Sequence, residues 1–479
     1  MIRGLISLFS WHFPTALVYM LQNTEYHGGP YLQWFWKTTH FERVMYRRTL
    51  QRTKAARLLL LALRTGMALQ IAAGAVCIYW WWQYGLVGGL AFGAALIVSY
   101  PIVWAHLAIL PLELGRALIV RPRQRRAIAA SRTIFANFQG VKIAVAGSYG
   151  KTSMKELLLT VLSEGKHVAA TPANKNVSIS HAYFARKLQG NEDILIIEYG
   201  EGEPGDVRRF ADITKPTHAI ITGIAPAHLD RYKTLQAAAA DIFSVAKAVA
   251  EDHVYVNGES PDALPSVTPG QQLYNEKNAL GWKISGIRIN LDGTRFTMRK
   301  GGKKLELYSR LLGRHQVGPL AIVAALAHEF GLTDEQIEAG IAKTASFEHR
   351  MQPYQLGGAW IIDDTYNGNI EGVRAGTRLL KELPGKRKIY VTPGLVDQGK
   401  DTSAIHQQMG RLIAEAKPDM VVLMKHSVTA AIQKGLEDAG FAGELLIESD
   451  PLTFYTNLDV FVAGGDLILM QNDWPDNYA

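Results

Sequence analysis

A single cysteine, Cys77, occurs among the 479 residues of the chain. An intrachain disulfide is therefore excluded, and so is a zinc site built from cysteines. This scarcity fits a reducing compartment. The chain is also long, and 48% of its residues are hydrophobic. One hydrophobic core rarely holds a chain of this length, so the sequence predicts two or three domains.

Charged side chains are missing from residues 65–112, which contain no Asp, Glu, Lys or Arg. Two apolar spans, Leu58–Trp82 and Leu86–Leu110, each exceed the roughly 20 residues that a helix needs to cross a bilayer. They predict a transmembrane helical hairpin, and the aromatic residues at the end of the first span would lie at a membrane interface. The alternative is a buried helical hairpin in a soluble domain.

Basic residues cluster on both sides of this apolar region. The cluster before it comprises Arg43, Arg47, Arg48, Arg52, Lys54 and Arg57, and the cluster after it comprises Arg116, Arg121, Arg123, Arg125 and Arg126. By the positive-inside rule, both ends of the hairpin are expected in the cytoplasm. We therefore predict a multi-pass protein of the inner (cytoplasmic) membrane whose catalytic domains lie in the cytoplasm. The net charge of +8 is interpreted as membrane-facing, with no nucleic-acid partner.

From about Val141 the pattern changes, and short β-branched runs alternate with helical stretches. This alternation is typical of an α/β fold. The run KIAVAG predicts a buried strand, and KTSMKELLLTVLSEG has the apolar spacing of a helix that is closed by Gly165. The turn between them, GSYGKTS at residues 147–153, therefore lies where α/β proteins bind phosphate.

The residues of this turn suit a nucleotide. Gly147 and Gly150 allow backbone amides to surround phosphate oxygens, Lys151 supplies a cation, and the Thr152 hydroxyl can reach Mg²⁺. This short motif is less specific than the full phosphate-loop pattern, since Val145 stands where that pattern has a glycine. The motif alone is also compatible with an ordinary strand-to-helix turn.

Further segments follow the turn in a fixed order: TPANKNVSIS, IIEYGEGEPGDV, ITGIAPAHLDRY, LLGRHQVGPLAIVAALAHEFGL, FEHRMQ, IIDDTYNGN and VTPGLVDQGKDTSAIHQQMGRLIA. With them, the chain from about Lys142 to its end resembles the Mur ligase family of ATP-dependent amide-bond-forming enzymes of cell-wall precursor synthesis. It is most similar to the branch that adds D-alanyl-D-alanine. Agreement in order over roughly 330 residues makes a chance match improbable.

The resemblance implies ATP and Mg²⁺ as cofactors and assigns roles to particular residues. The implied catalytic residues are Lys151, Glu198, His228 and Arg350, the last at the γ-phosphate, and the implied metal ligands are Thr152, Glu198 and His228. The implied nucleotide contacts are Gly147, Ser148, Gly150, Lys151, Thr152, Ser153, Asn174, Asn176, His315, Gln316, Arg350, Asp364, Tyr366 and Asn367. Considered singly, Glu198, His228 and Arg350 also fit ordinary structural roles.

Three departures from the family pattern bear on substrate and metal. Lys233 and Lys247 flank the position of a family lysine that becomes carbamylated and bridges the metals. The family's closing Lys-Gly-Ser-Arg element is replaced by MQNDWPDNYA. The apolar hairpin stands where this branch has a domain that holds the UDP-sugar, which leads us to expect an acceptor presented at the membrane, such as a lipid-linked precursor.

Three functional hypotheses follow. The first is a membrane-anchored Mur-type ligase that forms an amide through an acyl phosphate and adds D-alanyl-D-alanine or an amino acid to a cell-wall precursor peptide. The second is an ATP-dependent carboxylate–amine ligase of another class, similar to folylpolyglutamate or cyanophycin synthetases. The third is a non-catalytic ATP-binding membrane protein that recruits cell-wall enzymes. A glutaminase-coupled relative needs four cysteines for zinc, which this chain lacks.

The predicted organisation has five parts. Residues 1–55 are an N-terminal segment that is not assigned, either interfacial or a third membrane segment. Residues 56–112 form the transmembrane helical hairpin and residues 113–137 a basic juxtamembrane segment. Residues 138–345 form the central phosphate-loop ATPase domain and residues 346–479 a Rossmann-like α/β C-terminal domain.

Overall fold

The computed structural model describes residues 7–24, 26–38, 41, 50–173, 175–226, 229–366, 368–396, 398 and 401–472. The chain divides into two compact units, residues 1–126 and residues 127–479. The first unit is helical in its described residues, and the second is a mixed α/β structure with two sheets. The predicted α/β class is thereby confirmed for the second unit, and the finer domain boundaries stay predictions.

In its described residues, the first unit contains five helices and the start of a sixth. In chain order they are α1 (Phe13–Asn23), α2 (Gly28–Lys37), α3 (Lys54–Tyr84), α4 (Gly89–Leu107), α5 (Leu110–Gly115), a π-helical turn (Arg116–Val120) and α6 (Arg121–Asn137). Helix α3 begins where the Thr53 side chain accepts a hydrogen bond from the Ala56 amide, and it ends at Gly85, whose φ of +63° terminates the helix.

Helices α3 and α4 pack tightly because glycines face each other. A Cβ added at Gly93 would lie 2.5 Å from the Gly74 carbonyl oxygen, so larger residues would push the helices apart. Polar groups also join them: Trp104 Nε1 donates to Gln70 Oε1 (2.8 Å), and Gln70 Nε2 donates to the Leu96 carbonyl (3.0 Å). The hairpin thus combines two devices that are common between helices in membranes.

Two helical runs, Lys54–Tyr84 and Gly89–Asn137, are long and apolar enough to cross a membrane, judged by length and composition alone. Only 22% and 17% of their most apolar windows are buried. Large apolar side chains instead point outward along both helices, among them Leu61, Leu69, Val76, Leu90, Phe92 and Val98. Most of the hairpin's apolar surface is therefore left uncovered by the described protein.

The central part of the second unit is built on a ten-stranded sheet of order β10-β9-β8-β7-β6-β5-β4-β1-β3-β2. Its strands are β1 (Val141–Ala146), β2 (Val168–Ala170), β3 (Ile194–Glu198), β4 (His218–Ile221), β5 (Val254–Asn257), β6 (Gln272–Tyr274), β7 (Asn278–Ala279), β8 (Trp282–Asn290), β9 (Gly293–Lys300) and β10 (Lys303–Ser309). Neighbours from β2 to β6 pair in parallel, and those from β6 to β10 pair antiparallel.

Helices cover both faces of the parallel part, so its central strands β1, β3, β4 and β5 are almost entirely buried. The helices are α7 (Lys151–Leu162), α8 (Ser178–Ala185), α9 (Asp206–Thr214), α10 (Leu229–Tyr232), α11 (Leu235–Ile242), α12 (Val317–Glu329) and α13 (Asp334–Lys343), with 3₁₀ turns at Phe243–Ala248, Glu251–His253, Leu264–Ser266 and Arg314–Gln316. Helix α12 is apolar on nearly every side and is buried in the core.

The C-terminal part carries a six-stranded sheet of order β11-β12-β16-β13-β14-β15, in which only β11 is antiparallel. Its strands are β11 (Gln352–Leu356), β12 (Ala359–Asp364), β13 (Lys388–Thr392), β14 (Met420–Met424), β15 (Glu444–Glu448) and β16 (Leu467–Gln471). Its helices are α14 (Ile370–Glu382), α15 (Thr402–Ala416), α16 (Thr429–Asp438), α17 (Pro451–Thr456) and α18 (Leu458–Phe461). The last strand, β16, lies inside the sheet between β12 and β13.

Candidate active site

The turn between β1 and α7 has the geometry of a phosphate loop. Gly147 adopts a φ of +144°, and a Cβ there would lie 2.3 Å from Thr222 Oγ1, so the loop passes too close to Thr222 for a side chain. Gly150, with a φ of +73°, directly precedes the first residue of α7. The first amides of that helix are therefore available to an anion at its N-terminus.

Lys151 follows this loop, and its ammonium group has two partners, a backbone carbonyl and a carboxylate. Its Nζ donates to the Gly147 carbonyl (2.6 Å) and lies 2.6 Å from Glu201 Oε2. The side chains of Lys151 and Glu201 are only 12% and 6% exposed. The sequence prediction placed Lys151 here but did not include Glu201, which follows the end of β3 by three residues.

Glu198, the last residue of β3, is the centre of a second polar cluster. Its Oε1 accepts hydrogen bonds from Thr152 Oγ1 and from Asn176 Nδ2, both at 3.1 Å. The residue is 1% exposed, and its Oε2 accepts no hydrogen bond within the described part of the chain. A buried carboxylate oxygen with free lone pairs beside a threonine hydroxyl is a donor set that suits Mg²⁺.

Lys155 on α7 contacts this cluster through its buried ammonium group. Its Nζ is fully buried, lies 3.6 Å from Glu198 Oε2 and 3.0 Å from Glu156 Oε1, and donates to the carbonyls of Thr171 (3.0 Å) and Ala173 (2.5 Å). It thereby ties α7 to the segment that leads to Asn176. Lys155 is not among the site residues predicted from the sequence, although a charged residue on the buried face of α7 signals a buried partner.

The C-terminal wall of the site is built from irregular backbone. His349 and Met351 have φ values of +59° and +46°, which non-glycine residues rarely adopt. The guanidinium between them, that of Arg350, stacks over the Tyr366 ring with its Cζ 4.4 Å from the ring centroid. Strained backbone of this kind persists where the surrounding structure fixes it, and it is concentrated at functional sites.

Asp364 is the acidic residue of this wall. Its Oδ2 accepts from Gln471 Nε2 (2.7 Å) and its Oδ1 from the Met351 amide (3.2 Å). Burial raises the pKa of this carboxyl group to about 6, although the hydrogen bond from Gln471 opposes the rise. Gln471, the last residue of β16, thus contacts the site directly.

His315 and Gln316 lie at the junction of the two walls. Burial lowers the pKa of His315 to about 4, so its imidazole is neutral at neutral pH. Its Nε2 lies 2.9 Å from Gln316 Nε2, and because an amide nitrogen only donates, the imidazole accepts this hydrogen bond. The pair can therefore present neutral polar groups to a nucleotide without adding charge.

An ion-pair network joins the two walls. Glu276, in the turn after β6, lies 3.3 Å from Arg378 and 3.9 Å from Arg314. Glu382 on α14 pairs with the same two arginines, at 2.9 Å from Arg314 and 3.4 Å from Arg378. The four charges connect the central part of the unit to the first helix of the C-terminal part.

The two walls enclose one cleft with a volume of about 1090 Å³. Among the residues predicted from the sequence, those that line it are Ser148, Gly150, Lys151, Thr152, Ser153, Asn176, Glu198, His315, Gln316, Arg350, Asp364 and Tyr366. Gly147 does not line the cleft but lies against Thr222 at the start of the loop. Asn174, His228 and Asn367 lie outside the described residues, so their roles stay predictions.

The metal prediction rests on fewer residues than the nucleotide prediction. Within the described ranges, no group of three His, Cys, Asp or Glu side chains could hold a metal ion, and the predicted ligand His228 falls in the gap at residues 227–228. Lys233 and Lys247 are exposed and do not line the cleft. Thr152 and Glu198 are thus the predicted ligands that the structure brings together.

Comparison with known proteins identifies the family. Residues 145–327 match the Mur ligase middle domain, and residues 349–471 match the Mur ligase glutamate ligase domain. The chain belongs to the Mur ligase family. These are ATP-dependent amide-bond-forming ligases that use ATP and Mg²⁺, and the family resemblance inferred from the sequence is confirmed.

The chain is similar in sequence to enzymes of this family and similar in fold to their solved structures. It is 27% identical over 299 residues to the UDP-N-acetylmuramoyl-tripeptide–D-alanyl-D-alanine ligase of Escherichia coli (strain K12). The matched region covers 60% of this chain and 66% of that protein. The fold matches MurF ligase from Thermotoga maritima in complex with ADP, with a TM-score of 0.63, 20% identity and coverage of 73% of this chain and 80% of that one. MurF from Acinetobacter baumannii matches with a TM-score of 0.63, 19% identity and coverage of 73% and 77%.

Proposed function

We propose that this protein is a membrane-anchored ligase that uses ATP to join D-alanyl-D-alanine, or an amino acid, to a peptidoglycan precursor peptide. The observation that carries the proposal is the cleft in which a phosphate loop with Lys151, Thr152 and Glu198 faces Arg350. One wall binds phosphate and the other supplies a second cation. This pairing suits the transfer of a phosphoryl group better than it suits simple nucleotide storage.

The proposed reaction has two steps. A substrate carboxylate oxygen attacks the γ-phosphorus of ATP, the bond to the β–γ bridging oxygen breaks, and an acyl phosphate and ADP result. The amine nitrogen then attacks the acyl carbon, phosphate leaves, and the nitrogen loses a proton. Lys151 and Arg350 offset the charge on the transferred group, while Thr152 and Glu198 would hold Mg²⁺, which supplies further charge neutralisation.

The identity of the amine follows the named relatives. The Escherichia coli relative is a UDP-N-acetylmuramoyl-tripeptide–D-alanyl-D-alanine ligase. The family matches at residues 145–327 and 349–471 cover both walls of the present cleft. The match covers only 66% of that relative, so the relative's name does not identify the acceptor of this chain. We propose an acceptor held at the membrane, since the apolar hairpin α3–α4 precedes the ATPase part in the chain.

Three observations support the membrane placement. Most of the hairpin's apolar surface faces away from the described protein, its two helices approach through Gly74 and Gly93, and basic residues flank it on both sides. Exposure of an apolar surface of this extent to water is unfavourable. The proposed location is the cytoplasmic membrane, with the second unit in the cytoplasm.

Phosphate release tests the enzymatic proposal. Detergent-purified protein with Mg²⁺ and ATP is assayed with D-alanyl-D-alanine or single amino acids against UDP-linked and lipid-linked peptide acceptors. We expect release that requires one amine and one acceptor and is lost in Lys151→Ala, while Lys187→Ala, an exposed lysine outside the cleft, retains it. Binding of ATP without turnover on any pair would overturn the ligase assignment, and equal turnover on both acceptor types would overturn the lipid-linked acceptor.

The only cysteine gives a direct test of the membrane proposal. Cys77 lies within α3, so a membrane-impermeant maleimide should not label it in intact membranes. In a Cys77→Ser background, Ser285→Cys on the exposed face of β8 should be labelled in inverted vesicles and protected in right-side-out vesicles. Labelling of Cys77 in sealed membranes of both orientations would contradict the hairpin placement.

A further inference from the structure

The lysines at the start of α7 are already paired with carboxylates. Lys151 lies 2.6 Å from Glu201, and Lys155 lies 3.6 Å from Glu198 and 3.0 Å from Glu156. In each case the lysine and at least one carboxylate are almost entirely removed from solvent. The phosphate loop of this chain therefore has little uncompensated positive charge from its own lysines.

This balance has a consequence for an incoming phosphate. The lysine of a phosphate loop normally offsets phosphate charge. Here the Glu201 carboxylate forms an ion pair with the same ammonium at 2.6 Å. A phosphate oxygen that approaches Lys151 therefore meets a negative charge within a poorly solvated wall. Repulsion between like charges is stronger in such surroundings than in water.

We infer that Glu201 makes the phosphate loop selective for nucleotide that arrives with a divalent cation, and that it disfavours the free nucleotide anion. The inference rests on the proposed ATP site. Two buried carboxylates, Glu198 and Glu201, line the same cleft, and added positive charge offsets both of them together with the phosphates. Without that charge, binding must break the Lys151–Glu201 pair and leave a buried carboxylate uncompensated.

The position of Glu201 argues for a role at the phosphate and against a purely structural one. Glu201 lines the cleft and contacts the phosphate-loop lysine, whereas Glu203, two residues later, is exposed and lies outside the cleft. Both residues belong to the loop that follows β3, so the two glutamates form a matched pair for substitution. Only the first touches the nucleotide site.

Binding of a fluorescent ADP analogue to the full-length, detergent-purified protein tests the inference, with one titration in excess EDTA and one in excess Mg²⁺. The unmodified protein should bind the nucleotide at least about 100-fold more tightly with Mg²⁺ than without it. Glu201→Gln should bind the metal-free nucleotide about tenfold more tightly than the unmodified protein does, with less than a threefold change in Mg²⁺. Glu203→Gln should behave as the unmodified protein.

The outcomes separate the inference from the proposed function. Glu201→Ala removes the charge without adding an amide and should reproduce the gain, so the result does not depend on one replacement side chain. Unchanged or weaker metal-free binding in both variants would overturn the inference. A loss confined to the Mg²⁺ titration would also overturn it, because Glu201 would then serve as a metal ligand. If the unmodified protein binds no nucleotide even with Mg²⁺, the proposed ATP site itself fails.

Discussion

The two walls of the cleft are built in opposite ways. The phosphate wall uses glycines at Gly147 and Gly150 and consecutive amides of one helix, with buried charges paired around it. The C-terminal wall uses non-glycine residues in left-handed backbone, a guanidinium stacked on Tyr366, and a buried acid bonded to Gln471. A wall made from local backbone is set by a short motif, whereas a wall made from distant segments is set only by the folded domain.

If the phosphate wall binds the nucleotide and the C-terminal wall assists phosphoryl transfer, loss of Arg350 should lower kcat more than it lowers ADP affinity. We expect Arg350→Ala to lower kcat by about 100- to 1000-fold, as the loss of one transition-state cation commonly does. The affinity for ADP should change less than about threefold. Steady-state kinetics beside ADP titrations check this, with Arg411→Ala, an exposed ion-paired arginine of the same domain, as the control. Equal losses in kcat and ADP affinity would place Arg350 in ground-state binding.

On the phosphate wall, Lys155→Met should destabilise the fold because it leaves the Glu198 carboxylate buried without a cation. It should also weaken the metal site, because α7 is then no longer tied through the Thr171 and Ala173 carbonyls to the segment that leads to Asn176. We expect a loss of about 3 kcal/mol in unfolding free energy and a roughly tenfold higher Mg²⁺ requirement for ADP binding. Denaturant unfolding and Mg²⁺ titrations provide the two readouts.

Lys142 is a matched control for that variant. It is also buried and donates to two carbonyls, those of Phe135 (2.9 Å) and Phe138 (3.4 Å), but it contacts no carboxylate in the described ion pairs. Lys142→Met should reduce stability and leave the Mg²⁺ requirement unchanged. A similar rise in the Mg²⁺ requirement in both variants would show that Lys155 acts on the metal site only through general stability.

Asp364 makes the C-terminal wall sensitive to pH. Its pKa is raised from 3.8 to about 6, so between these values the folded state binds more protons than the unfolded state. The contribution of this group to stability is therefore favourable at low pH and is lost as pH rises from about 4 to 6. Asp364→Asn should flatten that decline by about 2 kcal/mol, measured as unfolding free energy at pH 4.5 and pH 7. An unchanged decline would assign it to other groups.

The smallest effect is expected at the ion-pair network that joins the walls. Its arginines are 32% and 51% exposed, so each pair contributes less than about 1 kcal/mol. Glu276→Gln should lower unfolding free energy by roughly 0.5 kcal/mol at low salt and by less at 0.5 M salt. Comparison of the two salt conditions by denaturant unfolding checks this, and a loss that salt does not reduce would contradict an electrostatic cause.

The same contrast explains which parts of the fold and the site could be predicted from the sequence. The strand, turn and helix around GSYGKTS follow from local patterns, because burial on both faces makes β1 apolar and the turn needs glycine. The partnership of Lys151 with Glu201 could not be predicted, since it depends on where the loop after β3 turns. Likewise, nothing in the local sequence distinguishes the left-handed residues His349 and Met351. Their contacts with Asp363 and Asp364 form only when the domain folds.

Strand β16 has a consequence for the synthesis of the protein. It is the last strand in the described part of the chain, yet it lies between β12 and β13, and the side chain of its Gln471 donates a hydrogen bond to Asp364. A ribosome must therefore release residue 471 before the C-terminal sheet can close, while the phosphate loop is translated some 320 residues earlier and can fold first. A nascent chain can thus expose a formed nucleotide loop before it has the wall needed to use ATP.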